Sequence, residues 1–348
     1  MNDHVDDPFL FSSLIAEHWK LSQRLGWHPF LMVFLSKNKI VGLAPLLMRS
    51  RFGFRYVCSF DQYTCPEFFH DKYREACINQ MISILFRRLN CESAEITFRD
   101  ENVNQKIIEK VCRKMNFSYK TFPQEGQAII PVKNSLDSFR QSLNRKDKKE
   151  FRRIRRKLDK IGSWEISCSD INHTSLAKIW EVERHSWKTE LKGKRKAIKD
   201  WGLSAILEGV ERNKEGKSYF ESEVWFLELN GTPLSYVLTM KRNKTEVFAK
   251  TSFDARYREI SPGIFLMNTL IERVFSGKLA NKIDFISNLP FAQVWKPLVA
   301  KRINYRILKS IALSRARIIV FENRIILKAS QIIESYKWKS RTEPQPVL

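Results

Sequence analysis

Residues 224–254 read VWFLELNGTPLSYVLTMKRNKTEVFAKTSFD. Three apolar, β-branched and aromatic runs are separated by two polar turns, Asn230-Gly231-Thr232 and Asn243–Glu246. Asn-Gly tolerates the positive φ that a tight hairpin requires, so this stretch predicts a three-stranded antiparallel meander. The same punctuation occurs 193 positions earlier, where Leu31–Asp61 reads LMVFLSKNKIVGLAPLLMRSRFGFRYVCSFD. Its turns are Lys37-Asn38-Lys39 and Ser50–Gly53, and both stretches close on Ser-Phe-Asp without a gap between them. A gap-free match over three strands predicts an internal duplication.

The flanking segments correspond as well. Apolar residues at helical spacing follow each meander in Ala76–Leu89 and Ile264–Ser276; then come short strands, Ala94–Phe98 and Lys282–Ile286, and closing aromatic strands, Phe117–Phe122 and Ile303–Leu308. Helical segments precede the meanders at Phe11–Leu21, Leu176–Trp187 and Ile198–Val210. The expected fold class is α/β of the α+β kind. Two tandem domains each carry a mixed, mostly antiparallel sheet flanked by helices and are joined by a basic helix. The expected boundaries are 1–135, a linker at 136–162, 163–309, and a C-terminal segment at 310–348.

The linker is dominated by charge. Arg140–Lys160 holds eleven Lys/Arg against three Asp/Glu, with Phe151, Ile154, Leu158 and Ile161 at three- to four-residue spacing. It reads as a solvated linker helix or as a docking strip for phosphates or anionic lipid heads. Ser310–Lys339 repeats the pattern of apolar and basic residues, which suits a helix packed on a domain or a membrane-surface element. The net charge of +23 calls for an anionic partner: CoA phosphates, nucleic acid, acidic lipid or a phosphorylated substrate. No apolar run approaches the ~20 residues of a membrane span, and the acidic Met1–Asp7 does not resemble a signal peptide. A cytoplasmic protein is expected, with a peripheral position at the inner membrane as an extension of the charge argument. Six scattered cysteines without a CxxC pair fit buried thiols rather than a metal site.

Candidate chemistry lies after the second meander. Arg256-Tyr-Arg258-Glu-Ile-Ser261-Pro-Gly263 runs directly into a helix, so free N–H groups and a positive dipole end face a potential pyrophosphate. Small residues at 261 and 263 admit phosphates to the main chain, and Arg256 and Arg258 add charge. The corresponding Tyr63–Phe69 has no glycine and adds Glu67, a poor phosphate site. His185 next to Ser186 invites a hydrolase reading, but neighbouring helical residues do not face each other and no Gly-x-Ser-x-Gly elbow is present.

Arg258-x-x-Ser261-x-Gly263 resembles the CoA-pyrophosphate loop of the GNAT acyltransferase superfamily, with Ser261 in place of the first glycine. Asp7-Pro8-Phe9 through Trp19, Val41–Leu46, Ser186-Trp187-Lys188, Phe253-Asp254 through Gly263, and Asp284-Phe285 with Trp295-Lys296 resemble motifs of its FemAB-like tandem-domain branch. Within that branch, the chain is similar to acyltransferases associated with bacterial cellulose and exopolysaccharide synthesis. The resemblance implies attack of an amine or hydroxyl on the thioester of acetyl-CoA or another acyl-CoA, without a metal. By the same resemblance Arg256, Arg258, Ser261, Gly263 and Ile264 would hold the CoA. Backbone N–H groups near Phe248–Ser252 would meet the thioester oxygen. Asp254 and His185 are the candidate bases, although Asp61 occupies the position equivalent to Asp254, which suits a turn cap equally. Trp187, Lys188, Asp284, Trp295 and Lys296 are candidates for binding a small-molecule, sugar-linked or lipid-linked acceptor. The alternatives are a FemAB-type transferase using aminoacyl-tRNA and a non-enzymatic basic binding protein.

Overall fold

The structure is a computed structural model that describes residues 19–20, 22–23, 26–51, 53–59, 68–99, 102–186 and 220–309. The first half contains β1 (His28–Ser36), β2 (Lys39–Arg51), β3 (Phe54–Ser59), the two-residue β4 (Phe68–Phe69), α1 (Arg74–Ser83), β5 (Ser93–Arg99), α2 (Asn102–Met115) and β6 (Phe117–Pro131). Two helices follow, α3 (Leu136–Ser142) and the basic α4 (Arg145–Ile161). The second half contains β7 (Trp164–Ser169), α5 (His173–Arg184), β8 (Glu221–Leu229), β9 (Thr232–Arg242), β10 (Thr245–Phe253), α6 (Pro262–Gly277), β11 (Lys282–Asp284) and β12 (Leu298–Lys309).

The duplication extends to backbone detail. The first hairpin turns on Lys37 (φ 48°) and Asn38 (φ 60°), and its counterpart on Asn230 (φ 50°) and Gly231 (φ 78°). Each hairpin also carries a β-bulge, at Val41 of β2 opposite Phe34 and Leu35 and at Leu234 of β9 opposite Leu227 and Glu228, again 193 positions apart. The two hairpins share turn chirality and register although their side chains differ; a one-residue slip would turn every core side chain outward.

All strands join one sheet, ordered β1-β2-β3-β5-β12-β6-β11-β10-β9-β8-β7, with β4 on β2. The closing strands are exchanged between the halves. β12, at the end of the second half, lies antiparallel to β5 of the first, while β6 lies antiparallel to β11 of the second. β6 and β12 pair with each other at the centre. The exchange carries core residues with it: Tyr305 and Ile307 of β12 pack among α1 and α2, and Ala128 and Ile130 of β6 pack beneath α6.

In the second half both sheet faces are apolar. Trp225, Leu227, Val237 and Phe248 pack against α6, and the alternating Val224, Phe226, Tyr236 and Leu238 pack against α5. Helix α4 buries Ile154 and Leu158 in the same core as α6. It ends at Gly162, where a Cβ would come within 2.6 Å of the Asn230 side chain, so glycine permits that approach. Among the described residues no helix is long and apolar enough to cross a membrane.

Candidate functional site

Strand β10 creates the opening. It runs parallel to β11 only over Thr245–Val247, because β11 stops at Asp284. One residue later a bulge between Phe248 and Lys250 shifts its register on β9. From Phe248 to Phe253 one edge of β10 therefore has no strand partner among the described residues, and alternate N–H groups along it face that side. In the first half β2 and β3 pair without such a bulge.

The chain leaves β10 through Asp254 and a tight 3₁₀ turn, Ala255–Ile260, to reach α6. Ser261 takes φ 47° and ψ 53°. That left-handed conformation favours glycine, so serine meets the geometry at a conformational cost. Pro262 has no N–H to offer. Among the described residues the amides of Gly263 and Ile264 find no acceptor, and the Ser261 side chain does not cap the helix. The two amides lie at the positive end of a sixteen-residue helix. A Cβ at Gly263 would touch Phe253 at 3.5 Å, an ordinary contact, so alanine fits there.

The charged residues are more constrained than their spacing suggested. Asp254 is buried and accepts from the Arg256 backbone N–H at 2.9 Å and from Arg256 Nε at 3.0 Å, with Nη2 at 2.5 Å. Beside this carboxylate, the Arg256 guanidinium is held above its usual pKa. Arg258 braces the turn through Nε to the Ala255 carbonyl at 3.2 Å. Lys157 of α4 reaches the Glu259 carbonyl at 3.3 Å and places the basic helix beside the turn.

On the opposite face, α5 delivers a second group of polar residues. Its N-terminus is fixed by a capping box between Asn172 and Ser175, and its C-terminal end is joined to β10, with the Ala255 N–H donating to the His185 carbonyl at 2.8 Å and Ser186 bridging Asp254. The His185 ring contacts the Glu181 carbonyl through Nδ1 at 3.2 Å, within its own helix. Glu183 accepts from the Tyr236 hydroxyl at 2.6 Å, while the Ser186 hydroxyl lies 3.4 Å from its other oxygen. Tyr236 stands opposite Ser252 in the β9–β10 ladder, and the buried Ser252 hydroxyl has no hydrogen-bond partner among the described residues. The sequence reading passed over Glu183; its signal was a position three residues ahead of Ser186, one helical turn.

The remaining candidates lie apart. Trp187 and Lys188 fall outside the described residues, as do the helix at Ile198–Val210 and the C-terminal basic segment. Asp284 is buried at the end of β11, where it accepts from Gln127 and from the Ile286 N–H at 2.7 Å; burial raises its pKa. Trp295 is 1% exposed, stacks on Phe285 and donates to Asn268 at 3.1 Å, so it is part of the core. Lys296 ties the loop before β12 to the Ser142 carbonyl at 2.7 Å.

Residues 145–292 match the family model described as acetyltransferase (GNAT) domain. FemX shares the fold at a TM-score of 0.58 and 13% identity, over 86% of this chain and 92% of that one. A conserved protein of unknown function from Bacteroides thetaiotaomicron aligns at a TM-score of 0.55 and 11% identity, over 89% and 94% of the two chains. The C-terminal domain of a protein from Agrobacterium fabrum assigned as a lysylphosphatidylglycerol synthetase aligns at 0.52 and 10% identity, over 90% and 91%. No curated protein matches the sequence. The chain shares its fold with FemX, and within it residues 145–292 are similar to the GNAT acetyltransferase domain.

Proposed function

We propose, from this GNAT-superfamily fold, that the chain transfers an acyl group from an acyl-CoA to an amine or hydroxyl acceptor, with the second half holding the CoA. One observation carries the reading: the Gly263 and Ile264 amides, without an acceptor among the described residues, begin α6 beside Phe253, the last residue of β10, whose stretch past Val247 is not paired by β11. The CoA pyrophosphate sits on those amides, and the pantetheine arm follows the free edge of β10. Arg258, exposed on the turn, adds positive charge beside them. An N–H beyond Phe248 meets the thioester oxygen as it becomes an oxyanion.

The acceptor nitrogen or oxygen attacks the thioester carbon, the C–S bond breaks, and CoA leaves as a thiolate that takes up a proton. Glu183, oriented by Tyr236, accepts the acceptor's proton directly or through one water. Asp254 acts through Arg256 by fixing the turn that presents α6. The acceptor is a small-molecule, sugar-linked or lipid-linked amine or alcohol, in keeping with a role in cell-envelope or exopolysaccharide metabolism.

Titration with acetyl-CoA and longer acyl-CoAs tests the reading by thermal shift. A ligand bound only by the folded chain raises its stability, by about 2.7 kcal/mol at a hundred times Kd. The expected result is a saturable rise in Tm together with acceptor-dependent release of CoA thiol. Absence of both at millimolar acyl-CoA would remove the proposal.

A further inference from the structure

We propose that the outer face of α4 is a docking surface for an anionic phospholipid bilayer, which it brings alongside the mouth of α6. Arg145, Lys149, Arg152 and Arg156 recur at four- and three-residue steps, so they form a single exposed row about 16 Å long. Lys146 and Arg155 are exposed beside it. Of the acidic residues of the helix, Glu150 pairs with Arg153 and Asp147 accepts from Asn144 at 3.0 Å, while Asp159, at the far end of the same surface as the row, accepts from Trp164 Nε1 at 2.7 Å. Among the described residues the four cations of the row have no carboxylate partner; Arg152 and Arg156 contact only carbonyls of their own helix. Neighbouring cations of the row lie within about one Debye length of each other, and the unneutralised row attracts a dense anionic surface.

The apolar face of α4 is already buried against the core through Ile154 and Leu158, so the helix binds by charge rather than by inserting itself. Insertion falls to its neighbours. Leu289, Leu298 and Val299 are 41%, 65% and 40% exposed, and Lys296, between them in sequence, holds the carbonyl of Ser142, the last residue of α3, three positions before α4 begins. Cations next to protruding aliphatic side chains suit the headgroup and upper acyl region of a bilayer. A nucleic-acid strand would instead call for aromatic stacking platforms, and the exposed face of α4 has none, since Phe151 packs inward. At the other end of the helix, Lys157 contacts Glu259, so a bound membrane lies next to the proposed CoA site. The inference does not depend on acyl transfer, because its readout is binding without substrate.

The test is co-sedimentation of the full chain with phosphatidylcholine vesicles, with and without phosphatidylglycerol. Binding is expected only to the anionic vesicles and is expected to weaken as salt rises. Replacing Arg145, Lys149, Arg152 and Arg156 together by Gln is expected to lower that binding at least about tenfold, since each surface cation contributes roughly fivefold. A control with Lys106, Lys110, Arg113 and Lys114 of α2 changed to Gln removes the same charge and is expected to stay within about twofold of the wild type. Leu298→Ser, which leaves every charge in place, is expected to weaken binding severalfold and keeps the proposal testable should the fourfold variant fail to fold. Undiminished binding by the α4 variant, an equal loss in the α2 control, salt-independent binding, or preference for a transfer-RNA competitor lost in the α4 variant would each overturn it.

Discussion

The hydroxyl of Tyr236 donates to the Glu183 carboxylate at 2.6 Å, joining the last turn of α5 to the second strand of the meander. Tyr236 is fully buried, whereas Glu183 is partly exposed. The pair therefore fixes a carboxylate at the surface of the sheet on the side facing away from α6. It stands near the end of β10 at which the chain turns toward the Gly263 and Ile264 amides, because Ser252, opposite Tyr236, lies two residues before Asp254.

Glu183→Gln preserves an oxygen that can accept from Tyr236 but no longer accepts a proton. Turnover is expected to fall roughly 10²–10⁴-fold, the usual range for a general base, with acyl-CoA affinity and melting temperature little changed. Steady-state kinetics together with a CoA binding titration check this; a variant with full kcat would exclude Glu183 from proton transfer.

At the α6 N-terminus, binding and stability are expected to separate. Gly263→Asp adds a negative charge in the first turn of α6, beside Phe253, so acyl-CoA affinity should drop at least about tenfold while the charge interacts favourably with the helix dipole. Ser261→Gly relieves a left-handed serine and is expected to raise stability by about 1 kcal/mol with affinity unchanged. Calorimetric binding and denaturant titration distinguish the two variants.

Asp254 and Arg256 form a unit, and breaking it is expected to cost stability. Arg256→Ala leaves a buried carboxylate with the backbone N–H of residue 256 and without its fork, a loss of about 1–3 kcal/mol. Arg256→Lys is expected to recover little of this, since an ammonium cannot reproduce the fork that Nε and Nη2 make with both carboxylate oxygens. Chemical denaturation at neutral pH is the measurement.

At the far end of β10, Glu246 lines a cavity with Glu221, Glu223, Thr239, Lys241 and Arg273. Burial pushes its carboxyl up to about 7, with Lys241 and Arg273 opposing and Glu223 reinforcing. The folded chain thus keeps a proton that the unfolded chain releases in the usual carboxylate range. Stability is expected to decline by roughly 3 kcal/mol as pH rises from about 4.5 to 7 and to level off above that, as far as this group is concerned. Glu246→Gln should flatten that part of the profile, measured by urea unfolding at several pH values.

The meanders, their turns and the basic helix were legible in the residues, because periodicity and turn chemistry are local. Lys37-Asn38 and Asn230-Gly231 announce left-handed turns, and the match at an offset of 193 extends to the bulges at Val41 and Leu234. The apolar spacing of Ile154 and Leu158 likewise identified the buried face of α4. What remained hidden depends on contacts between residues far apart in the chain. Nothing in Ile303–Leu308 states that this strand pairs with Ser93–Arg99 of the other half, since any strand with that alternation satisfies either neighbour. The burial of Trp295, the capture of Asp254 by Arg256 and the meeting of Glu183 with Tyr236 belong to the same category. A side chain's type records what it is able to do; whether it is free to do it is decided by which distant backbone packs against it.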